Sequence, residues 1–536
     1  MASLRLRPNA RLVFRQQRQL HLPQQRPQLP FLSPTQGRVP LAIHLRQHFI
    51  RLISTDRRER YKRGIYRGLK IAFTSYAIIF FLYLIEIGLY QEEIEHKWPT
   101  PAEWSWQSRW ALRSAVALQH PHENGDAVTQ WHNVYAHVKQ LLERLEDATI
   151  DGKDLREEED GGIFIDGVGR AGFDITAKSE PWRRGYFQAL MSAGKAAENL
   201  EGFMTDTKQR LTAKAEYVHG PSNPMAKRLP GREKWVMHEE DCVVAAPPAE
   251  TFYMKVLTTT GFSARQKIDA ALAYADYLDS KGLSATARDM CTWAMDIATG
   301  PDTRAVDTAT GILHDGKTMP SDNILRVSTA LAVHNAKAGD LSTALAIFTS
   351  VLKARRSLPG PPNGAPTEVK DRELPFDNFV QKIKNMFVPS VYPAAPSDGD
   401  SPPFREACEE AGLMTYIGEI LYATSSRETG LAWTRDAVDI GESELSAGEN
   451  ERCSQCVKVG IQNWQTMVHN LVMDARAAEE TAVLNSSRTW FGSNIAKKTA
   501  ERKKWEAEEA TVDDRAERAL KLTSEYNVYK PRGGLF

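Results

Sequence analysis

From Ile71 to Tyr90 the chain reads IAFTSYAIIFFLYLIEIGLY, an apolar run interrupted by one charge, Glu86. As a helix rising about 1.5 Å per residue, these roughly 20 residues cover about 30 Å, the hydrocarbon thickness of a bilayer. The run predicts a transmembrane helix. Glu86 sits about one turn from the far end, where its carboxylate can reach the interface along its own stem. A single span cannot line an alternating-access pathway, which takes several packed helices, so transport as a primary activity is excluded.

The flanks orient the span. Arg57, Arg58, Arg60, Lys62, Arg63, Arg67 and Lys70 precede it, whereas Glu92, Glu93 and Glu95 follow it. Positive charge stays on the side from which insertion begins. Further upstream, residues 1–55 hold nine Arg and no Asp or Glu, with Arg11, Arg15 and Arg18 on one helical face and Val13 and Leu20 opposite. Pro8, Pro23, Pro27 and Pro30 confine any helix there to a turn or two. This is transit-peptide composition, and Arg51-Leu52-Ile53-Ser54 predicts cleavage near Ile53. The expected organisation is a mitochondrial presequence over 1–55, a basic matrix-side segment over 56–70 and the span over 71–90. That places the chain in the mitochondrial inner membrane, with its N-terminus in the matrix, one helix in the lipid bilayer and residues 91–536 in the intermembrane space.

The formal net charge of zero, from 68 basic and 68 acidic residues, hides a division. The first seventy residues hold 16 Lys and Arg against two acids, which leaves 52 basic and 66 acidic residues in the remainder. An acidic body cannot neutralise phosphates, so no nucleic-acid partner is expected for it.

Beyond Pro99 and Pro101 the pattern is helical. Helices are expected over 104–119, 127–146, 181–215, 451–473, 475–484 and 495–526, with a short one at 376–387 and a loop-like stretch at 218–250. Between 263 and 442 helical segments alternate with short Gly-containing connections, the signature of a repeat. Ala275, Gly282, Ala287, Cys291 and Ala294 fall at the small-residue offsets of a tetratricopeptide repeat, and Ala332, Gly339, Ala344, Phe348 and Val351 repeat them within AKAGDLSTALAIF. A weaker copy places Gly418, Gly430, Thr434 and Ala437. Small residues there let two helices approach closely, and a Gly between them takes the turn. The fold class expected is all-α: a single N-proximal transmembrane helix, then a tetratricopeptide-like α-solenoid over 101–490 with insertions. Its clearest repeats are 263–298, 323–358 and 404–442, and a charged C-terminal helix and tail, a solvated cap or docking helix rather than core, occupy 491–536.

Stacked repeats present a concave surface lined by the first helix of each pair. In this register it carries Asp269, Asp276 and Asp279, then Arg326 and Lys337, then Tyr416, Glu419 and Tyr422. These are the candidate partner-binding residues. The acidic first repeat lacks the Lys/Asn clamp that grips a C-terminal carboxylate, so chaperone-tail docking is disfavoured.

Catalytic motifs are few. Gly167, Gly169 and Gly172 spell GxGxxG, but Phe173-Asp174-Ile175-Thr176 follows as an extended segment, where a dinucleotide site needs a helix opening. Cys453 and Cys456 form the one CxxC, with no second ligand pair nearby for zinc. Inert core cysteines are the favoured reading, and a disulfide within the pair, or from either member to Cys408, is the alternative. His120, His122, His132 and His137 cluster in sequence without ligand spacing. No catalytic residue, cofactor, metal or small-molecule substrate is expected.

An Arg-rich leader, one span with basic residues on its matrix side, and degenerate repeats carrying AKAGDLSTALAIF together resemble the fungal adaptor subunits of the mitochondrial inner-membrane i-AAA protease. The resemblance implies a non-catalytic adaptor that binds unfolded or misassembled proteins in quality control, with that AAA protease and its clients as partners. A scaffold or assembly factor for another inner-membrane complex shares the same sequence features. A redox protein would have to rest on the CxxC alone.

Overall fold

Helix α1, Thr55–Lys97, begins well before the apolar run, because the basic segment ahead of it contains no proline and is itself helical, with Arg63 and Glu59 paired at 2.8 Å across one turn. It ends at Lys97, two residues before Pro99, where the proline restrains its predecessor from helical backbone. The computed structural model describes residues 55–120, 128–157, 164–165, 169–170, 172–231, 235–300, 304–314, 319–360, 392–393, 397–447, 451–486 and 493–524. The leader expected before Thr55 and the short helix expected at 376–387 lie outside these residues. The chain divides into two compact units between Ile85 and Glu86. In the first, every described side chain from Arg57 to Ile85 is exposed, including Phe73, Tyr76, Ile79 and Phe81. Among the described residues α1 alone is long and apolar enough to cross a membrane, with a mean hydropathy of 1.9 over its most apolar stretch.

The second unit opens on the last turns of α1. Gln91, Ile94 and Glu95 are buried there, and Glu95 keeps only 2% of its surface. Pro99 and Pro101 leave Thr100 as the one amide donor of the turn, and it donates to Glu95 Oε1 at 3.0 Å while its hydroxyl donates to Oε2 at 2.7 Å. From α2, Trp106–Gln119, Arg109 reaches Oε1 at 2.9 Å and Arg113 reaches Oε2 at 3.0 Å. Two guanidiniums and two Thr100 donors thus hold one withdrawn carboxylate.

Helix α3, Trp131–Glu146, packs on α2 and on α4, Glu180–Asn199. Ser179 caps α4 by accepting from the Trp182 amide at 3.2 Å, and Pro181 occupies its first turn. Gly185 lets the Trp104 ring lie on α4, since a Cβ there would fall 2.7 Å from the ring. Short strands precede α4: β1 (Arg156–Glu157) pairs with β4 (Phe173–Asp174), and β2 (Phe164–Ile165) with β3 (Gly169–Arg170), both antiparallel.

Two expectations fail between Asn199 and Val244. The helix expected to reach residue 215 stops at Asn199, because Gly202 takes a left-handed backbone (φ 74°) and Phe203–Asp206 leaves as strand β5. It pairs with β6, Leu211–Lys214, with Thr205 and Thr212 hydroxyls 3.0 Å apart across the strands. The stretch read as loop-like holds β7 (Val218–His219), β8 (Met237–His238) and β9 (Cys242–Val244); β9 completes a sheet of order β6-β5-β9, and β7 runs parallel to β8. Ala213, Val218 and Met237 form a small core of their own. The chain is therefore mostly helical rather than all-helical.

After α5, Ala249–Thr258, come three helical hairpins: α6 (Ala264–Ser280) with α7 (Ser284–Thr299), α8 (Asp322–Lys337) with α9 (Leu341–Arg356), and α10 (Ala407–Thr424) with α11 (Arg427–Ala447). One apolar core runs from Trp104 through all three hairpins. Helix α12 is continuous over Glu451–Ser486 where two helices were expected, since no Gly or Pro interrupts Met473-Asp474-Ala475. Helix α13, Ser493–Ser524, departs from the solvated cap expected of it: Trp505, Val512 and Ala519 are buried in a second core with Trp464, Val468 and Val472 of α12.

The Glu95 cluster gives a stability prediction. Burial pushes its carboxyl up, but the Thr100 hydrogen bonds and Arg109 outweigh burial, and the net direction is down. A carboxyl depressed in the folded state stabilises above its unfolded value of about 4.3, and the contribution is lost as pH falls through the lower folded value. Glu95→Ala is expected to cost about 3–5 kcal/mol in urea unfolding at neutral pH, because Arg113 is left buried and unpaired. Glu95→Gln should flatten the decline in stability that the native chain shows below about pH 4.

Candidate interaction surface of the helical hairpins

The repeat positions lie inside the hairpins, most of them as small side chains, with Phe348 as the large exception. Ala275, Ala287, Cys291, Ala294, Ala332, Ala344, Phe348, Val351, Thr434 and Ala437 are all buried. Gly282 (φ 76°) and Gly339 (φ 92°) sit just past α6 and α8 in left-handed backbone, which a side chain rarely adopts, and turn the chain into α7 and α9. In the third hairpin the glycines do a different job. A Cβ on Gly418 would lie 2.5 Å from Thr434 Oγ1 and 2.9 Å from the Gly430 carbonyl, so α10 and α11 meet backbone to backbone.

The candidate binding residues of the first two hairpins face one another. Asp269 on α6 pairs with Arg326 on α8 at 2.8 Å, and Asp276 pairs with Lys337 at 2.6 Å. Asp279 offers both oxygens, each at 2.9 Å, to Nδ1 of His334, which is 4% exposed. Burial pushes the Asp269 carboxyl up against the opposing pull of Arg326 and Arg265, so this pair works against desolvation. Three carboxylates and three bases tie the hairpins together. His334 was not read from sequence, although Asp276/Asp279 and His334/Lys337 share a spacing of three on facing helices.

Arg265 bridges the same joint, reaching Asp322 at 2.6 Å. Asn323 donates to the Asp398 carbonyl at 2.7 Å and to the Asp400 carboxylate at 3.2 Å, which seats the returning insertion on the start of α8. Between the second and third hairpins, Glu410 is 3% exposed and takes Arg405 at 2.5 Å and Arg356 at 3.2 Å. Sequence reading missed this joint because the two arginines come from α9 and from the segment before α10.

The residues named on the third hairpin are divided. Tyr416 stacks on Phe348 with ring centroids 5.2 Å apart and stays 43% exposed. Glu419 accepts from Asn463 at 3.4 Å. Tyr422 is turned inward, its hydroxyl donating to the Met467 carbonyl at 2.9 Å with the Arg427 guanidinium 5.8 Å from its ring.

The CxxC is not a bonded pair. Cys453 is joined to Cys408 of α10, with Cα atoms 5.0 Å apart, while Cys456 is a free, half-buried thiol. Of the two expectations, inert cysteines fail for Cys453, and the disulfide runs to Cys408 because Cys453 faces α10. Gly172 (φ 119°) belongs to packing: a Cβ would fall 2.8 Å from the Thr258 carbonyl, and β4 follows it. Gly167 lies outside the described residues, and Gly169 opens β3. His120 stacks on Trp98 at 4.8 Å, burial pushes His132 and His137 down, and His122 lies outside the described residues. Among the described residues no group of three His, Cys, Asp or Glu is placed to hold a metal ion. No protein-family model, curated protein or solved structure matches this chain.

Two measurements test this joint. A double-mutant cycle on Asp279→Asn and His334→Asn should return a coupling of about 0.5–3 kcal/mol in denaturant unfolding, as for contacting buried groups. Gly418→Ala should cost about 1–3 kcal/mol by forcing α10 from α11, whereas Gly412→Ala in the same helix has only the Cys456 sulfur to displace.

Proposed function

We propose that this chain is a membrane-tethered, non-catalytic adaptor: α1 anchors it in the mitochondrial inner membrane, and tetratricopeptide-like hairpins in the intermembrane space hold protein clients for the i-AAA protease. The observation that carries the reading is one exposed apolar helix among the described residues, basic on its N-terminal flank, in a chain whose later part holds consecutive helical hairpins over one apolar core. Stacked hairpins offer an extended face for a protein chain rather than an enclosed site for a small molecule.

The paired charges refine what that face suits. With Asp269, Asp276 and Asp279 taken up by Arg326, Lys337 and His334, little net charge is left on the α6 and α8 surface. Tyr416, 43% exposed and close to Lys337, adds apolar surface beside it. Such a face favours apolar segments of unfolded chains over charged C-terminal tails. The same features fit a scaffold for another inner-membrane complex, so the partner decides.

Affinity purification from mitochondria in mild detergent should recover the AAA protease together with unfolded membrane-protein clients. Recovery of respiratory subunits with no protease would establish the scaffold instead. A tag after Phe536 should resist external protease in intact mitochondria and be digested once the outer membrane is opened. A tag still protected in mitoplasts would overturn the assigned compartment.

A further inference from the structure

Three of the chain's five cysteines meet where α10 packs on α12. Cys408 lies in the first turn of α10 and is bonded to Cys453 in the first turn of α12. Cys456 follows one turn later on the same face of α12, and its sulfur sits 3.6 Å from the Cys408 carbonyl oxygen. Room for that sulfur comes from Gly412, one turn beyond Cys408, where a Cβ would stand 3.3 Å from it. Glycine inside a helix costs about 1 kcal/mol relative to alanine, and here it lets a free thiol lie against the backbone that carries the disulfide.

We propose that Cys408, Cys453 and Cys456 form an internal thiol–disulfide exchange site, in which Cys456 takes Cys408 from Cys453 and moves the crosslink one turn along α12. The Cys456 thiol loses its proton to water and its sulfur attacks Cys408 Sγ. The new bond forms between Cys456 and Cys408 as the bond to Cys453 breaks, and the electron pair leaves on the Cys453 sulfur, which ends with the one proton that Cys456 gave up. One disulfide and one thiol are present before and after, so no external oxidant or reductant is consumed. Burial, reinforced by the Glu409 carboxylate, pushes the Cys456 thiol up, so exchange draws on a small thiolate fraction and is slow. The exchange shifts the anchor by about 4.5 Å along α12, and with it the register of the third hairpin against the long helix. The inference stands apart from the adaptor reading, because it concerns only the joint between two helices.

The experiment uses the full chain purified without reductant. The protein is quenched in acid, its free thiols are alkylated, and it is digested without reduction. Cys453 and Cys456 share one tryptic peptide, so fragment ions falling between them locate the alkyl group. Exchange predicts label divided between Cys453 and Cys456 with Cys408 always linked. Cys453→Ser should keep a disulfide from Cys408 to Cys456, and Cys456→Ser should keep only Cys408 to Cys453. The proposal is overturned if, in the peptide that holds Cys453 and Cys456, all of the label is on Cys456, if Cys453 and Cys456 are linked to each other with Cys408 free, or if all three are free thiols. The labelling of the native chain decides the matter even where a variant does not fold.

Discussion

A carboxylate withdrawn from water sets the geometry from which the folded body starts. Glu95 is 2% exposed and has Arg113, 6% exposed, and Arg109 as its counter-ions. Neither charge of such a pair can be kept in a protein interior without the other, and the cost of separating them is steep in every direction. The last turns of α1 and the whole of α2 are thus held in one relation by charge, over and above the apolar contacts around Ile94. The two prolines contribute by reducing the backbone donors of the turn to Thr100, whose amide and hydroxyl complete the carboxylate's hydrogen bonds. An acidic residue at this position was readable from sequence only as part of the flank, Glu92, Glu93 and Glu95, that orients the span.

What the sequence left unread elsewhere has the same root. Helical periodicity says which residues share a face, and it located the helix pairs from Ala275, Ala332 and their companions because close packing admits only small side chains there. Periodicity does not say whether a polar face meets solvent or another helix. Asp269, Asp276 and Asp279 share one side of α6, and that side meets basic residues of α8. Strands of two to four residues leave too short a pattern to outweigh the helical one beside them, and the turn at Gly202 was invisible among the Ala and Glu of α4. The cysteines differ for a third reason: an apolar helical setting suggested inert thiols and left the bond to Cys408 as an alternative, while the bond depends on which of the two faces a residue 45 positions away.

The most extensive contacts of each hairpin join it to the next one along the chain, so rigidity is distributed over the joints. Most of the joints here are secured by polar ties inside or beside an apolar core: Asp279 with His334 between the first two hairpins, Glu410 with Arg356 between the next two, Trp464 with Glu508 at 3.1 Å between α12 and α13. Such ties hold at equilibrium because each partner would be costly to strand. The joint between α10 and α12 alone among these is covalent, and it is the one with a spare reactant beside it. A salt bridge lengthens or breaks by degrees, but a disulfide with a third sulfur at hand has two discrete positions. If the stack has a place where its pitch can be reset without unfolding a core, chemistry puts it there.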